Sequence, residues 1–93
     1  MVQDPAWPKS VDEAVQHIVS KMSPEDLRLV RDTPREDLIR FHHGWGTGIR
    51  NSFGLWQGNR ELLESCGGGH PDDCSMVIIE AVWERLQTQE NKP

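Results

Sequence analysis

Ninety-three residues set the size of one domain, whose folding buries roughly 60–65% of the unfolded surface. With 35% apolar residues and no Tyr, the core is modest and four Trp must supply much of it. The formal net charge of −5 argues against a general nucleic-acid or anionic-membrane binder.

The charge is unevenly placed. Residues 38–60 hold Arg40, Arg50 and Arg60 and no acid, while both flanks are acidic. No apolar run is long enough for a membrane span. The opening Met1-Val-Gln-Asp-Pro-Ala-Trp-Pro-Lys9 lacks the apolar centre of a secretory signal. Two cysteines do not make a disulfide framework, so the chain reads as cytoplasmic, with reduced Cys66 and Cys74 preferred over a disulfide, which the Gly loop between them would allow. Sharing apolar surface in a homodimer is one way to enlarge so small a core.

Residues 1–8 read as a flexible lead, 9–88 as a helical domain and 89–93 as a disordered tail. Ser10-Val-Asp-Glu13 is a capping box, in which hydroxyl and carboxylate satisfy orphan N–H groups. The stripe Val11, Ala14, Val15, Ile18, Val19, Met22 then predicts the first helix. Ser23-Pro-Glu-Asp26 opens a short second helix carrying Leu27 and Val30. Thr33-Pro-Arg-Glu36 repeats the signature, and Leu38, Phe41, Trp45 and Ile49 align on a third helix. Asn59 caps a short segment from Arg60 to Cys66. Gly67-Gly-Gly69 is a hinge or a helix stop. His70-Pro-Asp-Asp73 opens the last helix with a weaker cap. Its stripe, Val77, Ile78, Ala81, Val82 and Leu86, widened by Ile79 and Trp83, predicts a central helix buried on more than one side. No strand alternation is present. The fold class is all-α, a compact single-domain bundle of four to five short helices.

The segment 38–59 gathers five of eight glycines, two of four Trp, both Phe and the His42-His43 pair. Gly44, Gly46 and Gly48 inside a helix cost roughly 1 kcal/mol each against Ala. Something must offset this. Packing of another backbone on the Gly44–Gly48 face is preferred over a ligand or partner lying there, and a break in the helix is a further option. His42 falls on the apolar stripe and reads as a buried, hydrogen-bonded residue. His43 falls among Arg40, Thr47 and Arg50, a polar and cationic face suited to a carboxylate or phosphate. In Phe53-Gly-Leu-Trp56, Gly54 suits a C-cap, with Leu55 and Trp56 folding back as a plug.

Other chemistry is weaker. Cys66, His70 and Cys74, four apart, are candidate zinc ligands, but the usual C-x-x-C spacing is missing and a fourth ligand would have to come from His17, His42, His43 or an acid. A Cys-His-Asp nucleophile set lacks any strand–turn–helix context. Gly44-x-Gly-x-Gly48 matches no phosphate-loop spacing. No enzyme activity and no cofactor are expected.

Several stretches resemble a family of short bacterial proteins of unknown function, the DUF6794-type domain. They are Val11-Asp-Glu-Ala-Val15, Lys21-Met-Ser23, His42 with Gly46, Ile49-Arg-Asn51, Phe53-Gly-Leu-Trp56, Gly58-Asn59, Glu61-Leu-Leu63, Ser65-Cys66, His70-Pro-Asp72 and Ile78-Ile79. The resemblance spans roughly residues 8–88, and its most specific part is the Ile-Arg-Asn-x-Phe-Gly-Leu-Trp run. It implies a compact helical domain of bacterial or phage origin and supplies no activity.

The leading functional expectation is a non-enzymatic protein-interaction domain. Its cationic aromatic face (residues 40–56) would dock an acidic or carboxylate-bearing partner through His43, Trp45, Arg50, Asn51 and Trp56. The alternative is a small acidic inhibitor or immunity-type protein occluding a basic site on a nuclease or nucleic-acid-binding enzyme. It would use Asp26, Asp32, Glu36, Asp37, Asp72, Asp73, Glu80 and Glu84. A third class, small-molecule or metal binding, would use His42, His43, Arg50 and Asn51.

Overall fold

The computed structural model describes residues 7–90, with side chains through residue 88. Five α-helices and one 3-10 helix follow in order: α1 (Val11–Lys21), α2 (Pro24–Asp32), the 3-10 helix (Arg35–Phe41), α3 (Trp45–Ser52), α4 (Arg60–Ser65) and α5 (Pro71–Glu90). No strand occurs among the described residues, as the missing alternation predicts.

The caps work largely as the sequence signals. Ser10 Oγ accepts the Glu13 N–H at 3.1 Å. Glu13 Oε1 accepts from Lys9 N at 3.2 Å, one residue before the cap, so the box closes with a longer reach. Ser23 caps α2 through the Asp26 N–H, with Pro24 at the first helical position. His70 opens α5 with its ring: Nδ1 accepts from the Asp72 N–H at 3.1 Å.

The Thr33-Pro34 signature works differently. Thr33 Oγ1 donates back to Leu29 O at 2.7 Å, closing α2 rather than opening the next helix. With no side chain capping it, the following segment winds as a 3-10 helix. A turn at His42–Gly44 then separates it from α3. The single third helix expected over 38–49 is therefore two pieces.

Two helices end in glycine-based reversals. Gly54, at φ +71°, follows α3, and Leu55 N donates to Arg50 O at 3.1 Å. After α4, Gly67 N donates to Glu64 O and Gly68 N to Leu63 O, a full Schellman motif. Gly67, Gly68 and Gly69 all have positive φ, so the glycine triplet is a defined reversal.

α5 is the axis of the fold, touching α1, α2, α3 and the 3-10 helix. Cys74, Ser75, Ile78, Ile79 and Val82 on it are fully buried. Ala14, Val15 and Ile18 of α1, Val30 of α2, Leu38, Ile49, Phe53, Leu55 and Leu62 complete the core. The wide last stripe was legible for this reason: a helix packed on several sides has few positions left for polar residues.

The packed chain begins earlier than residue 9. Pro8 is buried, and its carbonyl accepts from Asn59 Nδ2 at 2.9 Å. The Trp7 indole covers Gly54, where an added Cβ would lie 2.5 Å from the ring. Residues 1–6 and 91–93 of the expected lead and tail lie outside the described residues. Residue 90 belongs to α5.

Candidate functional site

The five residues expected on one cationic aromatic face separate. Arg50 turns inward and is 7% exposed. Its Nε lies 3.2 Å from Asp72 Oδ1, Nη1 donates to Ser75 Oγ at 2.9 Å, and Nη2 donates to Thr47 Oγ1 at 2.8 Å. This guanidinium fastens α3 to the first turns of α5, so its charge is balanced within the chain. His43 and Asn51 are exposed. Trp56 is exposed as well, its ring set edge-on to His70 at 5.4 Å, whereas Leu55 alone plugs the corner. His42 is half-buried; its Nδ1 is enclosed and has no hydrogen-bond partner among the described residues, so the satisfied core histidine expected there is not what forms.

The glycines also differ from expectation. Gly46 is the close approach: a Cβ there would meet Arg50 Nη1 at 3.1 Å and Ser75 Oγ at 3.5 Å. Among the described residues, an added Cβ at Gly44 or Gly48 meets nothing within 4 Å, so no other described segment packs on the Gly44–Gly48 face.

Trp45 lies beside two adjoining cavities. The first, about 300 Å³, is lined by Met22, Asp26, Leu29, Val30, Phe41 and Trp45. The second, about 320 Å³, continues along α1 and α3 past His17, Lys21, Gly48, Ile49, Ser52 and Phe53, and shares Met22, Asp26 and Trp45. Together they form a groove between the α1–α2 junction and α3. The Phe41 and Trp45 rings meet at right angles (86°) with centroids 5.7 Å apart. Leu29 stands 57% exposed at the rim. Of the lining residues, Trp45 was expected in a site and Asp26 was placed only on the acidic flank. The periodicity puts Met22 and Phe41 in the core and gives Leu29 no role. Leu29 is off the Leu27/Val30 stripe, which was the available signal.

The eight acids of the alternative surface are dispersed and half are committed. Asp72 pairs with Arg50, and Glu80 and Glu84 pair with Arg35 at 3.4 and 3.8 Å. Asp32 pairs with Arg31, whose hydrogen bond and charge hold the carboxyl below the usual carboxylate range. Asp26, Glu36, Asp37 and Asp73 are exposed and make no ion pair among the described residues.

Cys66 and Cys74 form a disulfide, Cα–Cα 5.2 Å, tying the end of α4 to the first turn of α5 across the glycine triplet. The expectation of reduced thiols is thereby reversed. A Cys66–His70–Cys74 zinc set loses both of its sulfur ligands to this bond. His70 serves as the cap of α5 instead. No cluster of three metal-ligating side chains occurs among the described residues. No helix among them is long and apolar enough to cross a membrane.

A family model described as "Domain of unknown function (DUF6794)" matches residues 7–86. No curated protein and no solved structure matches the chain.

Proposed function

The chain belongs to the DUF6794 family, whose description carries no activity, and we propose its function from the groove: a non-enzymatic protein-interaction domain that docks a partner segment between α2 and α3. The observation that carries this reading is the pair of adjoining cavities that share Trp45, the first of them walled by Phe41 as well. Aromatic side chains in such a wall supply large, rigid contact area at low entropy cost, and Met adapts to the shape of what docks. Gly48 supports it: it lines the second cavity, and with no side chain there a docked segment can come close to the α3 backbone.

The partner differs from the acidic one expected from the sequence. Arg50 is engaged with Asp72, and the charged side chain lining the first cavity is Asp26, while Lys21 lines the second. The docked segment is therefore apolar with a cationic residue. The closed disulfide favours an oxidising compartment over the cytoplasm, where such bonds are rare.

A photo-reactive residue placed at Leu29 tests the reading, with the same residue at Glu36 as control. A partner segment cross-linked from position 29 and absent from position 36 supports docking in the groove. Cross-links from Glu36 alone would move the site to the acidic flank and sink the proposal.

A further inference from the structure

From the geometry of the groove we infer that it contains a cation subsite, which takes the alkylammonium end of a lysine side chain presented by the partner. This rests on the docking reading and names the chemistry of its occupant. Three observations meet there. Phe41 and Trp45 stand at right angles with centroids 5.7 Å apart, so two π-systems form a corner. Asp26 lines the same cavity and makes no ion pair among the described residues. Met22 and Leu29 supply the remaining wall with thioether and aliphatic carbon.

That combination selects for a cation on an aliphatic stem. An aromatic face attracts an ammonium through its quadrupole, most strongly when the cation is partly desolvated. The carboxylate adds a charge-assisted hydrogen bond. The methylenes of the stem lie along apolar walls while the head reaches the acid. An anion would meet the Asp26 charge, and a neutral apolar group would leave that carboxylate desolvated without a partner. The chain's own cation on this groove, Lys21, lines the second cavity and forms no ion pair with Asp26 among the described residues. The chain's net charge of −5 favours approach of a basic partner.

The test is an NMR titration of the full-length labelled protein with Nα-acetyl-lysine N-methylamide, beside the norleucine analogue that has the stem without the charge. The expected result is shifts at the Trp45 indole N–H and at the Met22 and Asp26 amides with the lysine probe and not with norleucine. Asp26→Asn weakens that binding about threefold or more, and because Asp26 also stands in the first turn of α2, the variant is compared at a temperature where its unfolding curve shows it folded. Equal shifts from both probes would overturn the cation subsite and leave an apolar groove. No shift from either probe at high millimolar concentration overturns it as well. The cross-link from Leu29 reports separately on docking, so loss of one reading is distinguishable from loss of the other.

Discussion

Arg50 of α3 and Asp72 of α5 are joined by an ion pair of 3.2 Å in which the guanidinium is nearly buried and the carboxylate is not, with side-chain exposures of 9% and 44%. The asymmetry decides what each residue contributes. The arginine has left water and depends on its three acceptors, whereas the aspartate keeps part of its hydration.

Arg50→Ala should therefore destabilise the domain by about 1–3 kcal/mol. That is below the cost of breaking a fully buried pair, because Asp72 can rehydrate. Arg50→Lys should rescue only part, since one ammonium cannot replace a planar fork reaching Asp72, Ser75 and Thr47. Urea denaturation of the three proteins checks this. Unchanged stability in the Ala variant would show that the network is not holding α3 to α5.

Gly46 and Gly48 should respond oppositely to alanine. At Gly48 the methyl meets nothing, so helix propensity alone acts and Gly48→Ala should gain about 0.5–1 kcal/mol. At Gly46 the methyl meets Arg50 Nη1 at 3.1 Å, and that guanidinium is clamped by its own acceptors. The strain should exceed the propensity gain and leave Gly46→Ala about 1 kcal/mol less stable. Thermal unfolding of the pair suffices. A stabilised Gly46→Ala would mean that the Arg50 clamp yields at little cost.

The same residues show what the sequence could and could not display. Caps and stripes are local patterns: Ser10, Ser23 and Asn59 each bond an N–H three residues on, and the wide stripe of α5 shows in its own periodicity even though its packing partners are distant in sequence. Arg50 is not legible in this way. Its exposure depends on Asp72 and Ser75, more than twenty residues away, and a short polar segment gives no sign of which face meets α5. Thr33-Pro34 misled for another reason: the Thr hydroxyl has carbonyls behind it and N–H groups ahead, and it bonds Leu29 O. The groove was half legible. Trp45 drew notice as an aromatic among glycines, but Met22 and Leu29 join it only through the α1–α2 turn.

Reduction of Cys66–Cys74 should lower stability by about 2–3 kcal/mol, the entropy released when a closed loop of this length opens in the unfolded chain. The glycine triplet adds to the effect, since glycines are the residues with most freedom to regain. Unfolding curves with and without a dithiol reductant measure it, and a Cys66→Ala/Cys74→Ala double variant should match the reduced form. Overlapping oxidised and reduced curves would show that the α4–α5 junction holds without the bond.

The C-terminus of α2 depends on side chains from α5. Trp83 Nε1 donates to Thr33 O at 2.7 Å, and Gln87 Nε2 donates to Arg31 O at 2.8 Å. These carbonyls belong to the end of a helix, where no intrahelical N–H follows. Trp83→Phe keeps most of the ring area and removes the donor, so it should cost about 1 kcal/mol, the price of a part-buried carbonyl left without a partner. Gln87→Ala should cost somewhat less, because its site is nearer solvent. Hydrogen exchange distinguishes a local from a global effect: both variants should accelerate exchange in the last turn of α2 before that of α5. Unchanged exchange at Val30 and Asp32 would show that water replaces these donors and that α2 closes through Thr33 alone.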